Sequence, residues 1–161
     1  MDFSDAELEA LVSCPKTITS PPRKDMAQDG AHLRNDFKCQ AVAGGHRFRV
    51  FMRQAVAFPE DFSIGLVYLL DDGSEIVLLR CNGPHGPVAD DPLSDVVNPH
   101  FDFHIHRATE DNIANNRKPE AGATATGEFG TFDDALVYFV QRCGIEDASS
   151  HFPALSNPTL F

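Results

Sequence analysis

Between residues 98 and 107 the chain reads NPHFDFHIHR, which sets His100, Asp102, His104 and His106 at every second position with Phe101, Phe103 and Ile105 between them. Side chains alternate across a β-strand, so an extended segment here gathers the four polar groups on one face and buries Phe, Phe and Ile on the other. Residues two apart on such a face lie roughly 6.5–7 Å apart, near enough for two imidazoles to converge on one metal ion or one phosphate. His85, in the NGPHG stretch of the preceding loop, is placed to fold back over them.

Three readings compete for this cluster. In the first, His85, His104 and His106 move protons in phosphodiester cleavage, His100 and Asp102 assist, and arginines neutralise the charge of the transition state. In the second, His100, His104 and His106 ligate a zinc-like divalent metal, for which a His-x-His strand is a common arrangement. The third is a solvated sheet face whose imidazoles bond to neighbours and water.

Phosphate holders are available. Arg47, Arg49 and Arg53 share one face of the stretch HRFRVFMRQ, with Phe48, Val50 and Met52 opposite. A guanidinium fork reads phosphate or carboxylate well, which makes Arg49 and Arg53 candidates. Arg80, just before NGPHG, and Arg107, at the end of the histidine stretch, are weaker ones. Charged outer positions also belong to any half-exposed strand. The phosphate reading therefore requires the arginine and histidine strands to present their polar side chains on the same face of one sheet.

The elements that must position these residues follow from pattern and punctuation. Ser4 and Glu7 form a capping box for a short N-terminal helix with Leu8, Leu11 and Val12 on one side, ending before Pro15. Residues 16–37 have no apolar period and carry Pro and Gly breakers, so they read as a long connection. Two hairpins follow, one turning at Gly44-Gly45 and one at Asp72-Gly73. An acidic loop over 86–99 then leads to a fifth strand over 100–107. Thr109 caps a helical turn, and Thr131 caps the clearest helix, where Phe132, Ala135, Leu136, Phe139, Val140 and Cys143 form the apolar stripe and Gly144 stops it. The expected fold is α+β: an antiparallel meander of about five strands packed against a C-terminal helix, with a short N-terminal helix. One domain spans 1–147, and 148–161 forms a tail held by Phe152 and Phe161 or loose.

Composition narrows the function classes. A length of 161 residues suits a single domain with a real core. A net charge of −11 argues against a general nucleic-acid coat protein, yet residues 31–53 hold five basic side chains against Asp36 alone, whereas the chain from Glu60 onward holds 17 acidic and five basic residues. A basic strip on an acidic body still holds an anion. Four scattered cysteines, Cys14, Cys39, Cys81 and Cys143, lack metal or redox spacing and read as reduced core thiols. The acidic N-terminus and the lack of an 18-residue apolar run point to a cytoplasmic protein with no membrane contact. A Walker loop, a dinucleotide fingerprint and a Gly-x-Ser-x-Gly elbow are all missing, which disfavours those enzyme classes.

The pieces HRFRVFMRQ, FPEDFSIGLVYL, LLRCNGPHG, HFDFHIHRAT and TFDDALVYFVQRC together resemble an uncharacterised family of small bacterial and phage-borne proteins, over most of residues 3–145. More distantly, an Arg, then Pro-His, then a His-x-His strand, then a capped helix is similar to the TumE-type toxins of bacterial toxin–antitoxin pairs. Pro84-His85 and His104-x-His106 match those elements. The likeness implies a meander closed by one helix and a toxin role, with a cognate antitoxin or host target as protein partner. The alternating histidines and the basic strip point to RNA or another phosphodiester as substrate. The alternative expectation is a non-enzymatic acidic interaction protein, a phage inhibitor or antitoxin-like binder, that uses Asp90, Asp91 and Asp95 of the acidic loop.

Overall fold

The computed structural model describes residues 2–84 and 102–155. Helix α1 (Asp5–Ser13) opens the chain with the capping box intact: the Glu7 amide donates to Ser4 Oγ at 3.1 Å and the Ser4 amide to Glu7 Oε1 at 3.2 Å. Strands β1 (Lys16–Ser20), β2 (Ala27–Asp29), β3 (His32–Ala41), β4 (Arg47–Ala55), β5 (Phe62–Leu69) and β6 (Glu75–Asn82) follow. Strand β7 (His104–Arg107), α2 (Glu110–Ala114), β8 (Thr124–Ala125) and α3 (Phe132–Arg142) complete the order, with two short 3-10 turns at Ala148–Ser150 and Pro153–Leu155.

Among the described residues the strands form one antiparallel sheet in the order β1-β3-β4-β5-β6-β7-β8, and β2 pairs with the start of β3. The fold is thus α+β, as expected, with eight strands in place of about five. Both hairpin turns use glycine for positive φ, at Gly44 (87°) with Gly45 (71°), and at Gly73 (90°). The stretch 16–37, expected as a connection, carries β1, β2 and half of β3. KTITS and HLRND lack apolar alternation, and most of their side chains are exposed or half-buried, with Lys16 and Asn35 buried. They are extended because β3 pairs with β4 along its whole length, from His32 against Ala55 to Gln40 against Arg47.

Helices α1 and α3 cover one face of the sheet. Leu8, Leu11 and Val12 from α1, and Ala135, Leu136, Phe139 and Val140 from α3, pack on Phe48, Val50, Met52, Ile64, Leu66 and Cys81. The segment after α3 also packs, since Phe152 is buried with its ring 5.7 Å from that of Phe37; Phe161 lies outside the described residues. No helix among the described residues is long and apolar enough to cross a membrane.

All four cysteines are free thiols, and Cys39, Cys81 and Cys143 are buried, which fits their expected role as small core residues. Burial pushes the Cys39 and Cys143 thiols up to about 12 and Cys81 in the same direction. Each folded-state value lies above the unfolded one, so the stabilisation is fully present below about pH 8.5 and is lost as pH rises through the folded values, at about 1.4 kcal/mol per thiol per pH unit. Lys16 acts in the opposite sense. Its ammonium is pulled down by burial, and its contribution grows with pH up to about 10.4, where the unfolded lysine titrates. Urea midpoints measured between about pH 10.5 and 12 should therefore fall steeply. In native protein a thiol reagent should react promptly with half-buried Cys14 and with the other three only on unfolding.

Candidate functional site

Register decides which side chains meet. Strand β4 pairs with β5 through Arg53 opposite Ser63 and Phe51 opposite Gly65; β5 pairs with β6 through Ser63 opposite Asn82 and Gly65 opposite Arg80; β6 pairs with β7 through Asn82 opposite His104 and Arg80 opposite His106. Directly paired residues point to the same face. Two parallel rows therefore cross the sheet on the side away from α1 and α3: Arg53–Ser63–Asn82–His104, and beside it Phe51–Gly65–Arg80–His106. The arginine and histidine strands share a face, as the phosphate reading requires. Three strand spacings, about 14 Å, separate β4 from β7.

The histidine strand is shorter than its alternation suggests, running from His104 to Arg107. His104 and His106 lie side by side with ring centroids 5.0 Å apart. Asp102 precedes the strand and is exposed, and it contributes through its backbone: His104 Nδ1 lies 2.9 Å from the Asp102 carbonyl oxygen. His106 Nδ1 lies 3.2 Å from the carbonyl oxygen of Glu120. A carbonyl only accepts, so both Nδ1 atoms carry hydrogen, and in the neutral rings Nε2 is the proton-accepting nitrogen. His104 is fully buried and His106 half-buried, which gives His106 the better access to a substrate. His85 and His100 lie outside the described residues.

Around the imidazoles sits a buried polar cluster. Ser63 Oγ donates to Asn82 Oδ1 at 2.7 Å, and Asn82 is 0% exposed. Glu120, 2% exposed, faces Arg80 with Nη1 and Oε2 3.6 Å apart. Arg80 Nε, Asn82 Nδ2 and Glu120 Oε2 are buried without a hydrogen-bond partner. An unmet buried polar atom costs about 1–3 kcal/mol, so two unmet donors and one unmet acceptor on the histidine face mark a place where a further polar group would be welcome.

The other arginines differ in how far they are committed. Arg49 is held by Glu75 at 2.8 Å, and Arg47 lies 3.7 Å from Asp71. Arg53 makes no ion pair among the described residues and is exposed. With Arg80, His32, Ser63, Asp61 and Phe51 it lines a cleft of about 390 Å³. Arg107, expected beside these groups, pairs with Leu79 and points to the opposite face, because it follows His106 by one residue. There it lines a larger cleft of about 560 Å³ with Tyr138 and Arg142, on the far side of the sheet from the histidines.

No protein-family model, curated protein or solved structure matches this chain. The site is therefore read from its own chemistry. Among the described residues no three His, Cys, Asp or Glu side chains gather as a metal-binding set. His104 and His106 lie together, but the remaining metal candidate, His100, is outside the described residues.

Sequence reasoning missed Glu120, Ser63 and Phe51. Ser63 and Phe51 become visible once both hairpins are put in register, since each faces away from its apolar neighbours. Glu120 sits in the irregular stretch RKPEAGATATGEFG, and no local pattern distinguishes it from Glu128 in the same stretch.

Proposed function

We propose that the polar face of β4–β7 binds and cleaves a phosphodiester, with RNA as substrate, and that the protein is a toxin of a bacterial or phage conflict system. The observation that carries the proposal is the continuous row from Arg53 through Ser63 and Asn82 to His104, with Arg80 and His106 alongside. His106 Nε2 takes the proton from the attacking hydroxyl as that oxygen bonds to phosphorus. The P–O bond to the leaving oxygen breaks, and the leaving oxygen is protonated by the imidazolium so formed or by water. The His104 ring packs beside His106. Arg80 and Arg53 neutralise the charge that develops on the phosphoryl oxygens. The match of Pro84-His85 and His104-x-His106 to the elements of TumE-type toxins supports the toxin role.

Incubating purified protein with total RNA tests this. His106→Gln is expected to slow cleavage by about 100- to 10,000-fold while leaving the melting temperature near that of the wild type. Growth should likewise arrest on induction of the wild type and not of the variant. Cleavage at full rate by His106→Gln would exclude the assignment. Glutamine is the better probe, because alanine at fully buried His104 would leave a cavity and confound activity with folding.

A second reading is a non-enzymatic acidic binder. Its support is that Arg34, Arg47, Arg49 and Arg80 are each already paired with a carboxylate. Intact RNA and unaffected growth, together with a partner interaction weakened by reversing Asp90, Asp91 and Asp95, would favour it.

A further inference from the structure

Phe51 is an apolar residue on the polar face. The alternation of β4 buries Phe48, Val50 and Met52 beneath the helices and leaves the Phe51 ring half-buried on the side of Arg49 and Arg53. Its place is built rather than incidental. The residue opposite it is Gly65, and a Cβ added there would lie 2.2 Å from two carbons at the tip of the Phe51 ring. The missing side chain on β5 is what lets the ring lie across the sheet toward Arg80, the next residue of that row. Arg53 packs beside the ring, with Cζ 5.8 Å from its centroid. Phe51, Arg53, Arg80 and Ser63 together form one side of the 390 Å³ cleft.

An aromatic ring seated on a sheet, with the Arg53 guanidinium beside it and Arg80 lining the same cleft, has the composition of a stacking platform. Bases stack on the ring and phosphates pair with the arginines. We propose that Phe51 stacks an unpaired base of the substrate, while Arg53 and Arg80 take the adjoining phosphates and lead the strand toward His106. The inference rests on the phosphodiester reading above and narrows it, because a base must leave its duplex to stack. The substrate is therefore single-stranded nucleic acid. The ring beside an available guanidinium favours this occupant over a peptide: Arg53 makes no ion pair among the described residues, while Arg80 faces Glu120 at 3.6 Å through Nη1 and keeps its Nε without a hydrogen-bond partner.

Fluorescence anisotropy provides the test, with single-stranded RNA whose ribose hydroxyls are methylated to prevent cleavage, the same sequence as DNA, and the duplex of each. Phe51→Leu keeps an apolar group on Gly65 and removes the π face, and Phe51→Tyr keeps both. The wild type and Phe51→Tyr should bind single strands well above duplexes. Phe51→Leu should lose roughly 5- to 150-fold in affinity, with its melting temperature unchanged. Equal binding of single strands by Phe51→Leu and wild type overturns the platform, and so does a preference for duplex.

Cleavage of unmodified RNA by the same variants separates this inference from the one beneath it. RNA cut by the wild type with unchanged KM in Phe51→Leu leaves the phosphodiesterase and removes the platform. Binding that depends on Phe51, with RNA left intact, keeps the platform and removes the enzyme. Failure of the wild type to bind any of the four probes overturns both.

Discussion

Replacing Lys16 with methionine is expected to destabilise the protein by about 1–3 kcal/mol, a sizeable share of the stability of a domain this size. Lys16 is 0% exposed, and its ammonium donates to three carbonyl oxygens: Val12 at 2.7 Å, Cys14 at 2.9 Å and Cys143 at 2.8 Å. Val12 and Cys14 lie at the C-terminal end of α1, and Cys143 caps α3. One charge therefore answers the unpaired carbonyls and the negative dipole ends of two helices at once. The Phe48 ring, with its centroid 4.6 Å from Nζ, adds a cation–π contact. The backbone of Lys16 reinforces the join, since its amide donates to the Gly144 carbonyl at 2.8 Å and its carbonyl accepts from Glu146 at 2.9 Å. Methionine keeps the stem and its volume, so the loss isolates the ammonium. Urea unfolding should show a lower midpoint with an unchanged slope, and a stability within about 0.5 kcal/mol of wild type would contradict this account.

The second large effect is expected at Gly83. A Cβ at this position would lie 1.7 Å from the Glu60 carbonyl oxygen and 2.9 Å from its carbon, so the obstacle is backbone and cannot swing aside. The Gly83 amide also donates to the Phe62 carbonyl at 3.0 Å, which ties the end of β6 to the start of β5. Gly83→Ala must force these segments apart, at a cost on the order of 3 kcal/mol. Asn82 and Ser63 sit on those two segments, so the damage should reach the site as well: under the proposed phosphodiesterase reading, RNA cleavage should fall together with the melting temperature. Gly73→Ala serves as the comparison. There φ is 90° and the space is open, so only backbone strain of about 1 kcal/mol is expected, with no effect on the site. Equal melting temperatures for the two variants would show that the close approach at Gly83 is relieved cheaply.

Local chemistry decided much of this fold. The capping box at Ser4 and Glu7, the Thr131 cap with its 3–4 residue apolar stripe, the paired glycines at 44–45 and the Asp72-Gly73 turn each act through neighbours within a few positions. For that reason α1, α3 and both hairpins were legible without a structure. The alternation of β4 likewise settled that its arginines share a face. Strands β1 and β2 were not legible, because Lys16–Ser20 and Ala27–Asp29 owe their extension to pairing with β3 rather than to any pattern of their own.

The site divides along the same line. The sequence by itself determined that His104 and His106 point the same way. Arg107, expected beside them, was corrected by the pairing of β6 with β7, which sets it opposite Leu79 on the other face. Only the tertiary structure decided that the arginine face and the histidine face coincide, because that depends on the summed register of three strand pairings. It alone buried Glu120 against Arg80 from a stretch without periodicity, and it alone turned Lys16 inward, where the ends of two helices far apart in the chain supply the carbonyls that make a buried ammonium tolerable.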